Sequence, residues 1–261
     1  MINSPDPTAA PRNRGALALT LLAACSLILL PVGVSQAGGL FGAKASSSSS
    51  GGGPLAAYKS LAASISHSED ILFQILVLAQ TSEIHLLTAL DMKDLATDAK
   101  KKKKNLTSAE DNSAAIAAVA AEDPEAGKAK DEALAAAAGE QREFSEAQQE
   151  ALFEGFLVGI QVVFNVVSLI QAVVKVGTSM ASFVMSLANP MDAVAFSKAG
   201  YKPKVIKADL DARFGAINSV LKRIDKQAKN NDKTFKQIMK VNKLKPPKAG
   251  KPKALEASSE M

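Results

Sequence analysis

An uncharged apolar run, GFLVGIQVVFNVVSLIQAVV from Gly155 to Val174, stands in the middle of a charged, Lys-rich chain. At about 1.5 Å of rise per residue, a helix of this length covers about the 30 Å of a bilayer core. A long buried helix satisfies the same pattern. On a helical wheel Glu150, Glu154, Gln161, Asn165, Ser168, Lys175, Ser179 and Ser186 share one narrow polar stripe that runs past both ends of the apolar run. The stripe predicts an apolar helix over 150–188 that is packed on several sides. Gln161, Asn165, Ser168 and Lys175 are then candidates for a helix interface, or for pore lining if the helix sits in lipid.

Helical patterning begins at Leu55 and is expected to continue to about Ala99, with Ser66 and Glu69 at capping-box spacing. Within it, Ile71, Leu72, Ile75, Leu76, Leu78, Ala79, Ile84, Leu86, Leu87 and Leu90 form a broad apolar face. The five lysines Lys100 to Lys104 are expected to end this helix. A second box, Thr107 to Glu110, opens a short Ala-rich helix that Glu122-Asp123-Pro124 stops. From about Glu125 the pattern is helical again and is expected to run unbroken to Ala188, before Asn189-Pro190. Gly139, Gly155, Gly159 and Gly177 lie inside it, each costing about 1 kcal/mol relative to Ala and each a place for a kink.

The final helix is predicted from Pro203 or Lys204 to about Val241. Leu210, Phe214, Ile217, Leu221, Ile224, Ala228, Asn231, Phe235 and Ile238 alternate spacings of four and three, a heptad seam with one polar interruption. The expected packing lays this seam and the apolar face of 71–90 over the apolar surface of 152–188. The resulting fold class is all-α, an elongated helical bundle or long helical hairpin over 55–241.

The two ends of the chain differ from this middle. Arg12 and Arg14 precede the apolar run Gly15 to Val34, and Ser35-Gln36-Ala37 has the small residues of a signal-peptidase site, so 1–37 reads as an export signal. Leu22-Ala23-Ala24-Cys25 offers a rival, a lipoprotein leader ending before Cys25, which would then carry lipid. Cys25 is the only cysteine, so the chain forms no internal disulfide and relies on helix packing. Residues 38–54 are a Ser/Gly linker. Residues 242–261, rich in Lys and Pro, are predicted to be a disordered basic tail whose Lys243, Lys245, Lys248, Lys251 and Lys253 suit an anionic surface.

Charge is sorted along the chain. Residues 105–155 hold twelve acidic and three basic side chains, net −9, and 198–261 hold seventeen basic and six acidic, net +11. The two segments attract if they fold together. If a membrane separates them, they match the positive-inside pattern, with Gly155–Val174 as a single span.

Little catalytic chemistry is present. With no Trp, two Tyr and two His, and without a phosphate loop, HExxH, CxxC or nucleophile elbow, the chain points away from an enzyme, a cofactor or a metal. His67 and His85 are eighteen residues apart, too far along one helix to share an ion. Lysine runs attract phosphates, but few aromatics interleave with them and the leader directs export, which argues against nucleic acid. The sequence therefore predicts an exported, periplasmic, secreted or envelope-associated helical protein with a structural or interaction role. Its expected partners are another protein, its own copies, or an anionic membrane surface. The alternatives are a membrane-inserting or pore-forming protein using 155–188 and a single-pass protein spanning 155–174.

Overall fold

Seven α-helices and one 3-10 turn, with no strand, account for residues 53–257, which are those described by this computed structural model. The chain is all-α. The expected leader, Cys25, most of the expected Ser/Gly linker and the last four residues lie outside the described residues.

Three long helices form the core: α1 (Pro54–Ala89), α5 (Glu146–Leu187) and α7 (Pro203–Val241), each packed against the other two. Ser82 of α1 meets Gly155 of α5, whereas Tyr58 stacks near Phe183, so α1 and α5 are antiparallel. Glu69 meets Arg213 and Glu83 meets Gln227, so α1 and α7 run parallel at a constant sequence offset. Leu210, Ile217, Leu221, Ile224, Phe235 and Ile238 of α7 are buried in this core, and Phe214 is half-buried. Close approach at Gly155 explains why a glycine stands in an apolar helix. A Cβ there would lie 2.8 Å from the His85 Cβ and 2.9 Å from the Phe235 ring.

The shorter helices α2 (Lys93–Thr107), α3 (Asn112–Ala121) and α4 (Lys128–Ala138) pack mainly on α1 and α7, and α6 (Pro190–Lys198) closes the far end. The acidic segment thus meets the basic helix: α3 and α4 lie on α7, and Arg223 reaches Glu122.

Several expected boundaries differ. The first helix ends at Ala89, ten residues before the predicted end, because Asp91 takes a left-handed turn with φ 57°. Asp tolerates that conformation better than most residues. The five lysines do not terminate a helix; they lie inside α2. Neither expected capping box forms at its predicted place. Ser66 and Glu69 sit in the interior of α1, and α3 is capped by Asp111, whose carboxylate accepts from the Ala114 N–H at 2.6 Å. The helix expected over 125–188 is broken by the 3-10 turn Pro124–Gly127 and again after Ala138. α5 restarts at a capping box made by Ser145 and Gln148, which satisfies donors that a continuous helix would not have exposed.

The C-terminal segment also departs from expectation. Residues 242–257 are not left without structure: Leu244 packs on the apolar cluster at the α5 N-terminal end, and 253–256 are hydrogen-bonded to α1 and α5.

Candidate functional site

Apolar side chains cover most of the circumference of α5, and its neighbours cover about half of it. Val162, Val166, Leu169, Val173 and Val176 are buried against α1 and α7. On the opposite side Leu157, Phe164, Val167, Ile170 and Val174 remain exposed, the last at 64%. The expectation that two helices would cover the whole apolar surface of 152–188 therefore holds on one side only. The reason is geometric: two neighbours cannot enclose a helix that is apolar nearly all round, and the short helices pack elsewhere. Of the most apolar stretch of α5, only 33% is buried, against 50% for that of α1.

The uncovered face is ordered along the helix. Leu157, Phe164, Val167, Gln171, Val174, Thr178, Ala181 and Met185 line one stripe at helical spacing, and Ile160, on the same stripe, is partly buried against the core cluster. It leads toward α6; Met185, Met191, Val194, Tyr201 and Val205 are exposed, as are Lys198, Lys202, Lys204 and Lys207, which are their neighbours in sequence. An exposed apolar surface of this kind is a candidate interaction site.

On the other border of the stripe lies the tail. Gln161 accepts from the Lys253 N–H at 2.9 Å and donates back to the Lys253 carbonyl. Asn165, itself buried, donates to the same carbonyl at 3.1 Å and accepts from the Leu255 N–H at 2.9 Å. From α1, Gln74 donates to the Glu256 carbonyl at 2.8 Å. Leu157 and Phe164 lie one helical turn from Gln161, so the tail runs beside the uncovered face. Its Lys243, Lys245, Lys248, Lys251 and Lys253 side chains are exposed.

The candidate interface residues thus divide. Gln161 and Asn165 come together with the tail, Ser168 bonds back to the Phe164 carbonyl at 3.1 Å, and Lys175 is exposed. Gln74 and the exposed stripe were not singled out by the sequence, although the stripe's three-and-four spacing carries the signal.

Two buried carboxylates were missed as well. Glu69 accepts from Arg213 through both oxygens, with Nε at 3.0 Å, and from Ser113 Oγ at 3.1 Å. Glu83, fourteen residues on, accepts from Lys130 at 2.6 Å and Gln227 at 2.5 Å. The Glu69 hydrogen bond raises the Arg213 pKa above its ordinary value, against an opposing effect of burial. These groups tie α1, α3, α4 and α7 together with their charges matched. A cleft of about 660 Å³ beside them, between α7 and the Glu122–Asp131 segment, has Lys130 and Arg223 engaged with Glu83 and Glu122. His85 faces Glu154 at 3.4 Å, and among the described residues no cluster of three or more His, Cys, Asp or Glu is arranged to hold a metal.

No protein-family model, curated protein or solved structure matches this chain.

Proposed function

We propose that this chain is a non-enzymatic helical interaction protein of the cell envelope that settles on an anionic lipid surface. The uncovered face of α5 enters the boundary between head groups and acyl chains, and the bordering lysines meet the phosphates. The observation that carries this reading is the exposed apolar stripe from Leu157 to Val174, bordered by a tail whose lysines point to solvent. Apolar area and basic charge act together in such binding, each lysine near the surface contributing about 1 kcal/mol. The export signal expected over 1–37 is consistent with an envelope location.

Flotation with liposomes tests it. The chain should float with phosphatidylglycerol-containing vesicles, bind phosphatidylcholine vesicles far less, and lose much of its binding at high salt as the lysines are screened. Val167→Glu with Val174→Glu should remove binding without altering helicity. Equal binding to both vesicle types, or full binding by that double variant, would overturn the reading.

A second reading, insertion of α5 into the bilayer as a span or pore, rests on a specific observation. α1 and α5 are both long and apolar enough to cross a membrane. Insertion predicts dye release from the same vesicles and binding that survives high salt. Surface docking predicts intact vesicles.

A further inference from the structure

The contacts between the tail and the α1–α5 groove are unusual in kind. The bonds that Gln74, Gln161 and Asn165 make to the tail all go to its backbone groups, and Gln161 and Asn165 each use both ends of their amides. Two side-chain amides one helical turn apart bind the N–H groups of alternate residues, Lys253 and Leu255, as a neighbouring strand would. Asn165 is held for this role by a 2.8 Å bond to the Gln161 carbonyl. Pro252 and Leu255 on either side of this contact are half-buried.

The tail is also joined to the core in a way that permits exchange. Between Leu244, packed on the core, and Lys253 lies the spacer Lys245 to Pro252, mostly exposed and carrying Pro246, Pro247, Gly250 and Pro252. At about 3.1 Å per residue in an extended Pro-rich conformation, these eight residues span about 25 Å, enough to reach a groove on an adjacent molecule. The groove also borders the uncovered α5 face, so a second copy seated on that face lies next to it.

We propose that the α1–α5 groove is a backbone-reading peptide site, and that its partner in an assembled state is the 251–257 segment of a second copy. The chain's own tail fills the site in the isolated molecule, because a tethered segment has an effective concentration in the millimolar range. Tail exchange then converts an internal contact into an intermolecular one without new chemistry. The proposal is independent of lipid binding.

Complementation between two variants tests it in the absence of lipid. One chain keeps its tail but carries Gln161→Leu and Asn165→Leu; the other keeps the groove but ends at Gly250. Each should run as a monomer at low micromolar concentration, and the mixture should give a one-to-one complex by light scattering. Absence of the complex, with both chains showing native helicity, would overturn the proposal. The native chain supplies a second test that needs no variant. Amide exchange at Lys253 and Leu255 should be at least about tenfold slower than at the intervening Ala254, and equal rates at all three would contradict the groove geometry itself.

Discussion

Replacing Arg213 by Met should be among the most damaging single changes in α7. The Glu69 carboxylate is 4% exposed and takes two bonds from the guanidinium, leaving Ser113 as its remaining side-chain donor in the variant. Breaking a buried pair from one side costs about 3–5 kcal/mol, and because Arg213 is itself 23% exposed the lower end, about 3 kcal/mol, applies here. For a domain of this size that corresponds to a fall in Tm of about 6–12 °C. Removing both partners, Glu69→Met with Arg213→Met, should recover most of the loss, since no buried charge is then left alone. Lys236→Met breaks an exposed pair with Asp232 at 2.7 Å and should cost less than about 0.5 kcal/mol. Urea unfolding followed by circular dichroism measures all three. The raised pKa adds a pH expectation. A basic group whose folded pKa is raised contributes stability that is complete below its unfolded pKa and lost only as pH climbs through the folded one. For an arginine that window lies far above the neutral range, so the cost of Arg213→Met should be the same at pH 7 and pH 9. Equal costs for Arg213→Met and Lys236→Met would refute the reasoning.

Two glycines should respond in opposite directions. Gly155→Ala places a Cβ against the His85 Cβ and the Phe235 ring and should destabilise by about 1–3 kcal/mol despite the better helix propensity. Gly215→Ala in α7 meets nothing within 4 Å and should stabilise by about 0.5–1 kcal/mol, both read from thermal unfolding. Asp111→Ala removes the α3 cap and should cost about 1 kcal/mol, seen as faster amide exchange at Ala114.

The all-α class and the extent of α7 were legible because they rest on local rules. Pro203 opens a helix, and a seam spaced by three and four needs no distant partner to be recognised. The breaks were harder to read. The turn at Asp91 replaces one helical residue among many, and the Ser145–Gln148 box lies within a stretch whose pattern stays helical on both sides. Glu69 and Glu83 lie in register with the apolar face of α1, but their hydrogen-bond partners lie on α7, α3 and α4, with the counterions Arg213 on α7 and Lys130 on α4. A carboxylate in a seam cannot be read as paired until its distant partner is placed. The tail illustrates a different limit. Composition reports whether side chains can build a core, and residues 242–257 cannot. Residues 253–256 are held by backbone groups that every sequence carries, so the signal lay in the groove residues Gln161 and Asn165. The uncovered face of α5 was hidden for a related reason: periodicity shows that a face is apolar but not how many neighbours reach it.

The chain has no tryptophan, so a single introduced one reports its own surroundings. Val174→Trp places it on the uncovered face of α5, and Lys222→Trp places it on an exposed position of α7. With phosphatidylglycerol vesicles, the emission of Val174→Trp should shift to the blue while that of Lys222→Trp stays unchanged. Unchanged emission at Val174→Trp, or an equal shift at both positions, would contradict docking through the α5 face.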